Sequence, residues 1–150
     1  MTVRKPILQA LVLADRIERD GGTGKYVIEG TLNHVPVRNH HDATKSALGK
    51  TASGIVRGEN SDTPDLYLNL TELSGKQEFE IRFVSLADHR VLFSTRFTIE
   101  CDDPSISADF KIDLPRLSPP VAGIYSIELL WDNEILGAHK ITAHDQEEMP

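Results

Sequence analysis

Hydrophobic and polar residues alternate along most of the chain, and this alternation predicts β-strands. The segment 106–114 is a clear example, because Ile, Ala, Phe, Ile and Leu alternate there with Ser, Asp, Lys and Asp. Successive side chains of a strand point to opposite faces, so each such segment has one buried and one solvated face. One-sided burial of this kind is typical of antiparallel sheets.

Short strands separated by turn signals predict an all-β sandwich. The last two strands flank Asp132 and Asn133, which tolerate the positive φ of a tight hairpin turn. Residues 7–19 are ambiguous, because their apolar positions also have helical spacing, and they fit a helix as well as a strand. With a strand counted there, the predicted strands are eight, at 7–10, 25–35, 66–73, 78–86, 91–100, 106–114, 124–131 and 134–143.

Residues 36–64 break the alternation and are rich in Gly, Ser, Asn and Thr. This segment is longer than the roughly 12–15 residues at which a loop without secondary structure becomes unusual. We therefore predict one sandwich domain over 1–143, with 36–64 as a long loop or an insertion. An acidic, frayed tail is expected over 144–150.

The segment from Gly123 to Ile127 resembles the tyrosine corner of immunoglobulin-type domains, in which a tyrosine hydroxyl bonds to nearby backbone. Tyr125 would be that tyrosine. Ile127 stands where an antibody domain carries a disulfide cysteine. The segment therefore favours an immunoglobulin-like antiparallel β-sandwich of about seven to eight strands.

Several stretches together carry a family resemblance: residues 10–15 continuing through Asp20 into 23–30, residues 91–93, residues 123–125 and residues 133–137. They resemble a family of small bacterial proteins, a domain of unknown function for which an immunoglobulin-like β-sandwich is predicted. The resemblance covers most of the chain outside 36–64. It implies a strand for the first segment, and it implies no functional residues.

The net charge and the cysteine content restrict the kinds of partner and the cellular compartment that we expect for this chain. The formal net charge is -7, which argues against a general nucleic-acid binder and against docking on an anionic membrane. Cys101 is the single cysteine, so no intrachain disulfide forms and a reducing compartment fits. The apolar run from Ile7 to Ala14 is far shorter than the ~20 residues that span a bilayer. We therefore expect a cytoplasmic protein that binds neither nucleic acid nor membrane.

Candidate chemistry is concentrated in one polar group, formed by His34, His40, His41 and Asp42. Imidazole and carboxylate are zinc ligands, but adjacent histidines in an extended chain point apart and do not easily share one ion. We expect no cofactor, no bound metal and no catalytic residue. The alternative hypothesis is a metal-dependent enzyme or metal-binding protein that uses these four residues.

The leading hypothesis is a non-catalytic protein-binding or scaffolding module. It would contact an unknown protein partner through the loop 36–64 or through an edge strand, since loops on a rigid sheet often carry recognition. The predicted apolar anchors of the loop are Val37, Leu48, Ile55 and Val56. A further alternative is a self-assembling structural subunit, so a homo-oligomer is among the expected partners.

Overall fold

The computed structural model describes residues 4–37 and 63–145, and over these ranges the chain forms β-strands and no helix. The predicted all-β class is therefore confirmed. The strands in chain order are β1 (Ile7–Arg19), β2 (Tyr26–Thr31), β3 (His34–Pro36), β4 (Asp65–Thr71), β5 (Gly75–Ser85), β6 (Val91–Cys101), β7 (Ala108–Asp113), β8 (Gly123–Trp131) and β9 (Glu134–His144).

The strands form two sheets. One has four strands in the order β2-β1-β4-β7, and the other has five in the order β3-β9-β8-β5-β6. Neighbouring strands of the described ranges pair antiparallel, except that β3 pairs parallel with β9. In an immunoglobulin domain, strands A, B and E are neighbours in one sheet and strands C, F and G in the other. Here β1, β4 and β7 take the first set of positions and β5, β8 and β9 the second, which confirms the immunoglobulin-like sandwich.

The core lies between the two sheets and is built by strict alternation. In β4 the three leucines at 66, 68 and 70 have no exposed surface, while the residues between them are half-buried. In β5 and β8 the inward side chains include Ile81, Phe83 and Ile127, all of them buried. Burying one such side chain fully stabilises the fold by about 1.5–3 kcal/mol. The alternation in the sequence therefore gives the sandwich most of its driving force.

The first segment is a strand of thirteen residues, so the helical alternative is wrong and the predicted strand 7–10 is too short. A bulge between Leu8 and Ala10 shifts its register against β4. Because of that shift, the core-facing positions Leu8 and Leu11 are three residues apart, which breaks the period of two. Beyond Ala14 the strand continues by pairing with β2.

The predicted strand 25–35 is two strands, because the chain changes sheets within it. Gly30 has a φ of 70°, and after Thr31 the chain leaves the four-stranded sheet to join β9 in the other. His139 supports this crossing, since its Nε2 lies 2.8 Å from the carbonyl oxygen of Leu32. This extra division accounts for nine strands within residues 4–37 and 63–145, where seven to eight were expected.

The β8–β9 hairpin has the predicted turn. Asp132 and Asn133 have φ values of 51° and 63°, the left-handed pair that a two-residue turn needs to match the strand twist. The final strand, β9, ends at His144. Most of the predicted loop, residues 38–62, and the tail residues 146–150 lie outside the described residues. No helix long and apolar enough to cross a membrane occurs in the described ranges.

Candidate protein-binding edge

His34 lies in β3 beside the end of β9, and its contact there is with a second histidine. Its Nδ1 is 2.8 Å from Nε2 of His144, and the two ring centroids are 4.9 Å apart. At this distance a ring N–H of one imidazole donates a hydrogen bond to the ring nitrogen of the other. The parallel pairing of β3 with β9 creates the contact, which joins residues 110 positions apart.

The metal hypothesis needed His34 together with His40, His41 and Asp42, and the last three lie outside the described residues. Among residues 4–37 and 63–145, no group of three His, Cys, Asp or Glu side chains is placed to hold a metal ion. The nitrogen that His34 turns towards His144 is engaged in that contact. The four-residue metal site stays an untested alternative hypothesis.

Val37 is the one predicted loop anchor within the described part of the chain. It is half-buried and packs against the core, and its backbone N–H donates to the carbonyl oxygen of His144 at 2.9 Å. Part of its apolar surface is therefore already buried inside the domain, which leaves less of it for a partner to contact. Leu48, Ile55 and Val56 lie outside the described residues, and their role as anchors stays a prediction.

A second polar group covers the outer face of the four-stranded sheet, where β4 and β7 pair. The Tyr67 hydroxyl donates to Oδ1 of Asp109 at 2.7 Å, and the Asn69 amide donates to the same oxygen. Burial and then the bond to Asp109 raise the pKa of Tyr67. Cross-strand register places these residues together, since Asn69 is directly opposite Asp109.

Lys111 extends this group by lying between two carboxylates. Its Nζ is 3.7 Å from Asp65 and 3.4 Å from Asp113. Burial alone would lower the pKa of Lys111, but the two carboxylates outweigh it and the pKa is raised. Burial also raises the pKa of Asp65, although the Ile17 N–H donates to Oδ2 of Asp65 at 2.9 Å. Because these side chains partner one another, they fasten β1, β4 and β7 together.

The sheet edges differ from one another in a way that bears on binding. An edge strand leaves backbone N–H and C=O groups unpaired, and proteins usually blunt it with short length, proline, charge or an irregular backbone. At one edge, β3 has three residues and ends at Pro36. At two others, β2 has six residues with Gly30 at positive φ, and β7 has six with a charge at every second position.

The fourth edge, β6, is long and mostly regular, and its charges are limited to Arg96 and Glu100. It has eleven residues without Pro, Gly or Lys. A bulge lies near its start, between the pairs Phe83–Phe93 and Val84–Val91, and from Phe93 to Cys101 the register with β5 is regular. Among the described residues, no strand pairs with its other side.

The side chains of β6 present an apolar row and a charged row. Phe93 and Phe97 are half-buried and lie on Phe83 and Phe79 of β5, with ring centroids 5.6 Å apart in each pair. On the opposite face Ser94, Arg96, Thr98 and Glu100 are exposed. The sequence pattern identified this segment as a strand, but its place at an edge follows from the pairing order and was not predicted.

Comparisons with known proteins add little to this geometry. No protein-family model and no curated protein sequence matches the chain. A similar solved structure is a glycosyl hydrolase family 2 member from Bacteroides cellulosilyticus, with a TM-score of 0.39 and 17% sequence identity. The match covers 53% of this chain and 12% of that much longer one.

Proposed function

We propose that this domain is a non-catalytic, cytoplasmic protein-binding or scaffolding module, and that its partner binds by adding a strand to β6. The observation that supports the proposal is the contrast among the sheet edges. The other three edges have only three to six residues, whereas β6 has eleven residues with two charges, is regular from Phe93 to Cys101 and is open on one side within the described residues. Such an edge is a template for another strand.

Strand addition also gives each part of β6 a role in binding. Main-chain hydrogen bonds along the edge supply affinity, and alternate side chains of the added strand meet the two rows of β6. On the core side, apolar side chains of the partner would cover the flanks of Phe93 and Phe97. On the solvent side, the partner would meet Arg96 and Glu100, so a strand with matching charges is preferred.

Selection of binders from a library of random nonapeptides tests the proposal. We expect selected peptides to have alternating apolar positions and to slow hydrogen exchange at the β6 amides that do not bond to β5. Selected peptides that instead protect the amides of β2, β3 or β7 would contradict the proposal, as would the absence of any binder under conditions in which the chain is monomeric.

Thr98→Lys is the variant for this experiment, with Thr31→Lys as its matched control. Both threonines are exposed and lie on edge strands, β6 and β2 respectively. Thr98 lies opposite Glu78 in β5, so the new lysine gains an opposite charge within the monomer and the fold is kept. We expect Thr98→Lys to weaken peptide binding and Thr31→Lys to leave it unchanged. Equal effects of both variants would show that β6 is not the binding edge.

A further inference from the structure

We infer that the strand added to β6 is β6 of a second copy of this chain, antiparallel to it, with the two-fold axis at Thr98. The inference rests on the proposed function, since it names the partner of the same edge. It would join the five-stranded sheets of two copies into one continuous ten-stranded sheet. The inference comes from the order of side chains along β6.

A two-fold axis at Thr98 places each residue opposite the one equally far on the other side of position 98. Side chains of one face then meet side chains of the same face, because the strand period is two residues. On the core side, Phe97 lies opposite Ile99 of the second copy. On the solvent side, Arg96 lies opposite Glu100 of the second copy, and symmetry makes each of these pairs twice.

Other axes on the regular part of β6 are less complementary. An axis at Arg96 sets two guanidinium groups opposite each other, which is unfavourable. An axis at Phe97 leaves Glu100 opposite Ser94, with no opposite charge. An axis at Thr95 brings the bulge near Leu92 into the paired stretch. Thr98 is the axis that pairs both charges of the regular stretch and stays clear of the bulge.

Contacts within the monomer leave the charges of Arg96 and Glu100 available for pairing with a second copy. Arg96 has a side chain that is 67% exposed, and its NH1 lies 3.5 Å from an exposed carboxylate of Glu78 on the next strand. Glu100 is exposed and lies opposite Lys76. Each charge therefore keeps solvent-facing surface towards the open edge. A row of alternating sign would run across the joined sheet.

Cross-linking through the natural cysteine tests this register. With the axis at Thr98, Thr95 lies opposite Cys101 of the second copy, at a separation of about 4.5–5.5 Å between Cα atoms. That separation suits a disulfide. Within one chain these positions are six residues apart along a strand, about 20 Å, so no intrachain disulfide forms. We expect Thr95→Cys to give a covalent dimer when treated with oxidised glutathione, and the dimer to be lost in the double variant Thr95→Cys, Cys101→Ser.

Ser94→Cys is the matched control, because Ser94 is exposed on the same strand but belongs to the opposite face. We expect it to give no covalent dimer under the same conditions. Cross-linking of Ser94→Cys as efficiently as Thr95→Cys would overturn the inferred register. A protein that self-associates but fails to cross-link through Thr95→Cys would overturn it as well.

Sedimentation of the natural chain and of charge variants measures the association itself. Arg96→Glu turns two attractive pairs into two repulsive ones, and we expect dimer affinity to fall at least about tenfold. Adding Glu100→Arg to this variant restores opposite charges and should restore most of the affinity. Melting temperatures of both variants check that the fold is kept.

The two proposals fail in distinguishable ways. A natural chain that stays monomeric at every concentration, while selected peptides protect β6, overturns the second copy as partner and supports strand addition. A natural chain that dimerises without protection of β6 amides, together with selected peptides that do not protect these amides either, overturns both. Dimerisation with β6 protection and with cross-linking at Thr95 supports both.

Discussion

Tyr125→Phe removes one hydroxyl from the tyrosine corner and leaves the aromatic ring in place. The hydroxyl donates to the carbonyl oxygen of Val121 at 2.7 Å, and the Val121 N–H donates to the same hydroxyl at 3.4 Å. This bond is the one that the sequence predicted for an immunoglobulin-like domain. The ring of Tyr125 is 1% exposed and stacks on Phe83 with centroids 5.4 Å apart. The substitution therefore tests the hydrogen bond apart from the packing.

The size of the effect depends on what happens to the carbonyl group of Val121. A lost hydrogen bond costs about 1 kcal/mol, and up to about 3 kcal/mol if a buried acceptor is left unpaired. Val121 is 62% exposed, so water has access to this part of the backbone. We therefore expect a loss of about 1 kcal/mol in the free energy of unfolding. For a chain of this length that is about 2–4 °C in melting temperature.

Chemical denaturation with the slope held common to both proteins measures the difference. Tyr26→Phe is the control, because its exposed hydroxyl contacts Arg19 at 3.0 Å on the surface, and we expect a change of less than about 0.5 kcal/mol. Equal midpoints for Tyr125→Phe and the natural chain would refute the reasoning. So would equal losses in the two variants, since burial is what separates them.

Three further predictions concern the core, a backbone bend and a turn. Leu68→Ala empties a fully buried position between the sheets and should cost about 2–5 kcal/mol, measured by denaturation. Gly30→Ala should cost more than about 1 kcal/mol, because φ there is 70° and the new methyl group meets the Asp15 side chain, whereas Gly21→Ala, with open space around it, should be nearly neutral. Hydrogen bonds from Thr23 lower the pKa of Asp20, so its contribution to stability is present above its ordinary pKa and is lost as pH falls through the folded-state pKa. Asp20→Asn keeps an acceptor for Thr23 without this titration, so stability measured from neutral pH to pH 3 should fall less steeply in the variant.

Alternation predicted β4 to β9 well, because each of these segments has one face in the core. In β4, for example, Leu66, Leu68 and Leu70 are buried and Tyr67 and Asn69 face outwards. The Asp132–Asn133 turn was predictable because two residues that tolerate positive φ separate two alternating runs. The tyrosine corner was predictable because it is local, with Tyr125 and Val121 only four residues apart.

The failures in β1 to β3 have a common cause, which is that tertiary pairing overrides the local pattern. The bulge at Leu8 and Ala10 breaks the period of two, and its effect on register is set by β4, more than fifty residues away. The division of 25–35 depends on which sheet each half joins, and β9 at the other end of the chain provides the partner for His34–Pro36. Neither partner is visible from the local sequence.

An edge strand was expected as a binding surface, but which strand forms that edge was not predicted, for a related reason. That residues 91–101 form a strand follows from their alternation, but whether a strand is central or at an edge depends on the order of all strands in the sheet. The polar contacts on the four-stranded sheet likewise required the register of β4 against β7, which places Asn69 opposite Asp109. Sequence reasoning finds single strands and local turns, and sites assembled by cross-strand register lie beyond it.

The charges of β6 have two opposed effects, and together these favour one partner over others. An open, regular edge with half-buried phenylalanines would pair with any apolar strand and would be an aggregation hazard. An apolar strand placed opposite Arg96 and Glu100 would remove water from two charges without giving them partners, which is costly. A second copy of β6, related by the two-fold axis at Thr98, places an opposite charge beside each of these two residues. The same two residues thus disfavour indiscriminate pairing and favour a self-complementary one, which is how specificity arises from a difference between affinities.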